Sequence, residues 1–100
     1  MKITRHADKR LRKRTGVKRS AVTKMARKAL VDGFTRQDFS GSLRRYLDAL
    51  YYYNESANNI RVWGEKVWIF HDFTLITVLD LPQRYKNRAN GIVKKESVDG

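Results

Sequence analysis

Residues 59–82 read NIRVWGEKVWIFHDFTLITVLDLP, and this stretch decides the fold. It is rich in β-branched and aromatic residues with a period of two, which is typical of strands. Three strands are predicted: IRVW at 60–63, KVWIF at 66–70 and TLITVL at 74–79. The short gaps GE and HDF suit hairpin turns, and Pro82 ends the last strand. The stretch therefore predicts a three-stranded antiparallel meander.

Upstream of the meander, the apolar residues recur with the period of amphipathic helices. A first helix is predicted at residues 4–15, where Gly16 ends it. A second helix is predicted from about residue 20 to 32 and a third from about 42 to 53. The segment FTRQDFSGS between them is predicted to be a loop or a short helical turn.

The order of three helices followed by three strands predicts an α+β domain over residues 1–83. In the predicted architecture, the three helices pack on one face of the small three-stranded antiparallel sheet. Residues 84–100 are polar and lack periodicity, so a flexible C-terminal tail is predicted there.

Positive charge is concentrated near the N-terminus of the 100-residue chain, whose formal net charge is +12. Residues 1–28 hold twelve Lys or Arg against one acid, Asp8, whereas residues 29–100 hold ten basic and nine acidic residues. Such a one-sided field favours a polyanion, with nucleic acid as the main prediction and an anionic membrane surface as the rival. The predicted nucleic-acid-binding residues are Arg5, Lys9, Arg12, Lys13, Lys18, Arg19, Arg27 and Arg61.

The composition also excludes several classes of function. The chain has no cysteine, which excludes disulfides, thiol catalysis and zinc sites built on Cys, and fits a reducing cytosol. It shows no Gly-rich phosphate loop and no secretory signal, and apolar runs such as VWIF are too short to span a membrane. We therefore predict a cytoplasmic protein with no cofactor and no metal.

Three residues of the first helix form a candidate catalytic set. His6, Arg10 and Arg14 follow one another at intervals of four, so they lie along one side of a helix. Metal-independent RNA cleavage needs a proton donor or acceptor and cations that stabilise the phosphorane, and these residue types supply both. The alternative is that His6 is an ordinary surface residue and that Arg14 extends from a fraying helix end.

The strands and the third helix contain further candidates with open alternatives. Alternation places Arg61 and Trp63 on one face of the sheet. There they either contact a ligand, or the indoles of Trp63 and Trp68 complete the core or shield the small sheet. Thr77 can place its hydroxyl near a phosphate, although Thr is also a good strand former. Tyr52 is a candidate for stacking on a base.

The run HADKRLRKRTGV at residues 6–17, together with the later helix that ends in Gly33 and the strands at 59–82, resembles small RelE-like toxin domains. These domains belong to the barnase, EndoU, colicin and RelE-type ribonuclease superfamily, whose cores join N-terminal helices to an antiparallel sheet. The chain also resembles uncharacterised prophage-associated relatives that begin H-A-x-x-R-x-x-x-R and end in TLITV…LP. The resemblance covers most of residues 3–82.

This resemblance implies metal-independent RNA cleavage, often of translated messenger RNA on ribosomes, with products that end in 2′,3′-cyclic phosphate. It also implies an antitoxin protein as a partner. It assigns His6, Arg10 and Arg14 to the active site and makes Thr77 a catalytic or phosphate-contacting residue on the last core strand.

The favoured prediction is thus a small basic endoribonuclease of toxin type that acts on RNA or a ribonucleoprotein. The alternative is a non-catalytic RNA- or ribonucleoprotein-binding module, such as a phage-encoded inhibitor of a nucleic-acid-guided defence complex. A third possibility is a DNA-binding regulator, in which Gly16 and Val17 form the corner of a helix-turn-helix.

Overall fold

The computed structural model describes residues 1–53 and 57–87, and it confirms the predicted α+β architecture. Three helices precede the meander: α1 (Arg5–Thr15), α2 (Arg19–Asp32) and α3 (Gly41–Tyr53), with a 3-10 turn at Arg36–Asp38. The predicted tail from residue 88 onward lies outside the described residues. The helix boundaries agree with the sequence pattern to within about one residue.

Capping interactions set the ends of α1 and α2. The backbone of Gly16 is left-handed, with φ of 69°, and its N–H donates to the carbonyl of Arg12, which ends α1 as predicted. The N–H of Gly33 donates to the carbonyl of Ala29 and ends α2. Since only residues 17 and 18 separate Gly16 from α2, the two helices follow each other closely and pack together.

The predicted strands form the antiparallel part of a four-stranded sheet. They are β2 (Asn59–Trp63), β3 (Lys66–His71) and β4 (Thr74–Asp80), in the spatial order β2, β3, β4. Gly64 and Glu65, with φ of 59° at both, connect β2 to β3, as expected for a two-residue hairpin turn. His71 pairs with Thr74, so the second turn is also two residues long rather than three.

The sequence pattern did not predict the fourth strand, β1 (Lys2–Ile3), at the edge of the sheet. It pairs in parallel with β4, where Lys2 is opposite Thr74 and Ile3 is opposite Leu75. Two residues are too few for a visible period of two, so no sequence signal distinguishes this strand from the approach to α1.

The helices are divided between the two faces of the sheet, which corrects the prediction that they all cover one face. One cluster packs α3 and its preceding segment against the β2–β3 residues Ile60, Val62, Val67 and Ile69. The other cluster packs α1 and α2 against residues that include Trp68, Phe70, Leu75 and Val78. The physical reason is that residues 67–70 of β3 are all buried, so both faces of this strand need a cover.

The core also extends past the predicted domain boundary at residue 83. Residues 83–87 form a helical turn, and Tyr85 within it is buried in the α3-side cluster. The rings of Tyr85 and Tyr46 lie 5.3 Å apart. Burial, followed by the proximity of Tyr85, raises the pKa of Tyr46 despite the opposing charge of Arg84. Residues 84–87 are therefore part of the packed domain and not of a tail.

Candidate nucleic-acid interface

The outer surface of α1 and α2 is covered by cations. Ala7 and Leu11 of α1 and Val22, Ala26 and Ala29 of α2 are buried against the sheet, so the opposite sides of both helices face solvent. We call the exposed cations of this layer the basic face. Its members are Arg5, Lys9, Arg12, Lys13, Lys18, Arg19, Lys24, Arg27 and Lys28.

Few acids balance this charge. Residues 1–32 contain twelve Lys or Arg and two Asp, a formal balance of +10. Asp8 lies 3.6 Å from a guanidinium nitrogen of Arg12, and Asp32 lies at the last position of α2. The first turn of α2 has no acidic residue, and its N-cap, Lys18, makes no side-chain capping hydrogen bond. The N-terminus of a helix carries a partial positive charge. Lys18 and Arg19 lie at this end of α2, so their charges and the helix dipole together make the potential there positive.

The opposite layer, by contrast, carries cations that have acidic partners. Arg36 Nη1 donates to Asp48 Oδ1 at 2.6 Å, and Arg44 Nε donates to the same oxygen at 3.0 Å. On the other face, where alternation with Trp68 and Val78 places them, Lys66 Nζ donates to Asp80 Oδ1 at 2.6 Å at the end of the β3–β4 pair. Most of the positive charge of the described residues thus lies on the α1–α2 side of the sheet, and Arg45 is an exposed cation on α3.

His6 and Arg10 lie one helical turn apart on α1, as their spacing predicts. His6 is exposed. Arg10 is partly buried, and its Nε is shielded from solvent without a hydrogen-bond acceptor in the described part of the chain. A buried donor without an acceptor is costly, and an anion that reaches Arg10 would remove this cost.

Thr77, another candidate catalytic residue, does not join this pair. Thr77 pairs with Ile69, whose side chain belongs to the α3-side cluster, so Thr77 points to the face of the sheet opposite α1. It therefore lies apart from His6 and Arg10. Arg14 lies on α1, but its side chain is outside what the structure describes.

Arg61, a predicted nucleic-acid-binding residue, makes two hydrogen bonds within the domain that the sequence did not predict. Its Nε donates to Asn59 Oδ1 and its Nη1 donates to the carbonyl of Gly33, both at 3.0 Å. The first bond lies within β2, and the second joins β2 to the end of α2. The indole of Trp68 is fully buried and donates to the carbonyl of Trp63, so the core alternative is the correct one for Trp68.

Several residues of this side were missed by the sequence interpretation. Thr4 caps α1, a role that its position directly before an apolar helical pattern signals. Lys24 and Lys28 also belong to the basic face. Their positions in the helical period of α2 place them on its exposed side, as they do for Arg27. Phe73 is 72% exposed at the β3–β4 turn, and only its unusual exposure in the structure distinguishes it from a core residue.

Two further properties describe the kind of site. Residues 1–53 and 57–87 contain no group of three or more His, Cys, Asp or Glu side chains that could together hold a metal ion. In the same residues, no helix combines the length and apolar character needed to cross a bilayer.

The fold and the basic face define a small α+β domain with one strongly cationic side. Searches found no protein family, no curated protein and no solved structure that matches the chain. The resemblance to RelE-like toxin domains therefore stays a prediction that rests on the quoted residues.

Proposed function

We propose that the protein is an RNA-binding module that holds the phosphate backbone on its basic face. The observation that carries the proposal is the confinement of nine exposed cations to the α1–α2 layer. Each phosphate neutralised by such a cation releases condensed counterions, which gives strong and salt-dependent binding. An RNA or ribonucleoprotein partner and a cytoplasmic location follow from the same proposal.

The residue types on the two helices suit phosphate contacts and lack the side chains that read adenine in a DNA groove. Neither α1 nor α2 contains Asn or Gln, the residues that pair with adenine in the major groove. Both helices are also packed against the sheet along one side. The two helices therefore support a backbone-binding surface, and they give no support to adenine readout by a helix-turn-helix.

The test compares single charge reversals on the two sides of the sheet. Lys9→Glu and Arg27→Glu lie on the basic face, and Arg45→Glu is the matched control on α3, where Arg45 is also exposed. All three change the net charge by the same amount. We expect the first two to weaken RNA binding and to lower the salt slope by about 0.7 per lost single-strand contact, with Arg45→Glu close to wild type. Equal effects of all three would show that only net charge matters.

A second candidate function is metal-independent RNA cleavage, as the RelE-like resemblance implies. The pairing of exposed His6 with Arg10, whose Nε lacks an acceptor in the described chain, favours it. The position of Thr77 on the other face of the sheet argues against a site that uses all four predicted residues. A ribosomal substrate and an antitoxin partner belong to this candidate.

Purified protein incubated with RNA in EDTA separates the two candidates. Fragments that end in 2′,3′-cyclic phosphate would establish cleavage. Intact RNA with retarded mobility would establish binding without turnover.

A further inference from the structure

A cleft of about 560 Å³ opens between the C-terminal part of α2 and the β3–β4 turn. Its volume lies within the ~300–1,000 Å³ range of small-molecule sites. Leu30 and Phe73 supply apolar surface, and the polar groups come from β2, the residue before it and the β3–β4 turn. The lining residues are Leu30, Asn58, Asn59, Arg61, Asp72 and Phe73.

The turn that forms one wall is held in a fixed shape. Asp72 has φ of 52°, a left-handed conformation that is uncommon for residues other than glycine. The side chain of Asn58 makes two hydrogen bonds with Asp72 and so clamps the turn. Its Oδ1 accepts from the Asp72 N–H at 2.8 Å, and its Nδ2 donates to Asp72 Oδ1 at 2.9 Å. Phe73 is the next residue. A large apolar ring is thus exposed on a clamped turn. Ordering this ring when a ligand binds costs less entropy than ordering a ring on a mobile loop.

The polar groups of the cleft suit the edge of a nucleobase better than a phosphate. Asp72 repels an anion but can accept a hydrogen bond from an exocyclic amine. Arg61 and Asn59 are engaged with each other through Nε and Oδ1, and their remaining N–H groups can donate to ring nitrogens or carbonyl oxygens. The cleft therefore offers both acceptors and donors beside an aromatic face.

The cleft adjoins the basic face through α2. Arg27 is exposed and lies one helical turn before Leu30, so the two residues are neighbours on one side of α2. A strand whose base enters the cleft can place its phosphate against Arg27. In a duplex the same base is stacked and paired, so Phe73 cannot reach its face.

We propose that this cleft binds one unpaired base of a single-stranded RNA, with Phe73 stacked on the base and Arg27 against the adjoining phosphate. This inference rests on the RNA-binding function proposed above and adds a preference for single strands. Stacking of a base on an aromatic side chain corresponds to about a 5- to 150-fold change in affinity when the ring is removed.

The test measures fluorescence anisotropy with two labelled probes at pH 7.5, a 12-nucleotide oligocytidine and a 12-base-pair RNA duplex. Phe73→Ala should weaken binding of the single strand by about 5- to 150-fold and leave binding of the duplex unchanged. Phe73→Tyr keeps the ring and should bind like wild type. Tyr53→Ala is the matched control, because Tyr53 is 86% exposed but lies on α3, on the other side of the sheet.

The outcomes distinguish this inference from the proposed function. If the wild type binds both probes and Phe73→Ala leaves single-strand binding unchanged, the cleft proposal is overturned while the basic face stands. If neither probe binds, both proposals fail. Dimerisation of the wild type that Phe73→Ala abolishes, measured by sedimentation, would assign the exposed ring to a self-interface and would also overturn the cleft proposal.

Discussion

Thr4 Oγ1 donates a hydrogen bond of 2.8 Å to the carbonyl of Ile76, a residue 72 positions later in the chain. The same hydroxyl accepts from the N–H of Ala7 and so caps α1, while the N–H of Thr4 donates to the carbonyl of Leu75. Ile76 is the extra residue of a bulge, since Leu75 and Thr77 pair with the consecutive residues 70 and 69 of β3. One side chain thus fixes where α1 begins and how it lies on β4.

We predict that Thr4→Val destabilises the protein by about 1–3 kcal/mol. The change removes the helix cap, worth about 0.5–2 kcal/mol, and deprives the Ile76 carbonyl of its donor. Urea denaturation measures the free energy of unfolding. Thr4→Ser retains the hydroxyl and is the matched control, so it should stay within about 0.5 kcal/mol of wild type. A loss in Thr4→Ser as large as that in Thr4→Val would contradict a role that belongs to the hydroxyl alone.

If the wild type cleaves RNA, we predict that His6→Ala lowers the cleavage rate by about 10²–10⁴-fold, as expected for loss of a general acid or base. RNA affinity should change little, because the cations of the basic face supply the phosphate contacts. Arg10→Ala should lower both rate and affinity, since a phosphate-binding cation serves each. Single-turnover rates and equilibrium binding provide the two readouts.

His71→Ala is the control for this experiment. His71 is exposed, and alternation along β3 places it on the α3 side of the sheet, away from His6. Its removal should leave cleavage unchanged. A loss equal to that of His6→Ala would indicate that the two histidines divide the acid and base roles.

Gly33→Ala is predicted to destabilise the protein by about 1–3 kcal/mol through overpacking. An added Cβ would lie 2.3 Å from the carbonyl oxygen of Ala29 and 2.9 Å from Cβ of Arg61, so the end of α2 would have to move from β2. The backbone of Gly33, with φ of −67°, causes no strain of its own. Thermal unfolding tests the size of the loss.

A comparison with Gly64 separates crowding from backbone strain. Gly64 has φ of 59° but nothing within 4 Å of an added Cβ. Gly64→Asn should therefore be nearly neutral, because Asn tolerates this conformation in hairpin turns, whereas Gly33→Asn should be severely destabilising. Similar losses at the two sites would contradict the assignment of Gly33 to close packing.

Acid is predicted to weaken the α3 layer through Asp48. Partial burial raises the pKa of this carboxyl, but the hydrogen bonds and charges of Arg36 and Arg44 outweigh it, so the pKa lies below the ordinary 3.8. A carboxyl with a depressed pKa in the folded state stabilises the protein above the ordinary value and loses this contribution as the pH falls through and below it. Wild-type stability should therefore decrease over that range.

The check is the free energy of unfolding of Asp48→Asn as a function of pH. The variant should be less stable than wild type at neutral pH and should lose less stability on acidification. Arg36→Gln should show an intermediate slope, because Arg44 still donates to Asp48. A slope for Asp48→Asn equal to that of wild type would refute the role of this carboxyl.

The sequence predicted most of the fold because the patterns are local. The period of 3.6 in α1 to α3 and the two short turns of the meander depend on neighbouring residues alone. The division of the helices between the faces was missed, although VWIF at residues 67–70 gives a signal for it, since four consecutive buried positions leave neither face of β3 to solvent. Strand β1 was missed because its pairing depends on residues more than 70 positions away.

The candidate site was predicted less completely for the same reason. Helical spacing correctly placed His6 beside Arg10 and put the cations on an outer surface. It could not show that Thr77 faces the opposite layer, because the bulge at Ile76 and the alternation of β4 determine that. The clamp of Asn58 on Asp72 joins two segments that are distant in the sequence, so Phe73 gave no signal either.

Strand β3 has a further consequence for how the molecule opens. Its residues Val67 and Ile69 belong to one core cluster and Trp68 and Phe70 to the other, so both clusters share a single backbone segment. If one helical layer separated from β3 while the other stayed packed, large apolar side chains of β3 would be exposed to water. Amide hydrogens in the middle of β3 are therefore expected to exchange with solvent only when the whole domain unfolds. Helices α1 and α2, which carry the basic face, pack against this strand. The spacing of their cations is therefore expected to stay constant between one encounter with a ligand and the next.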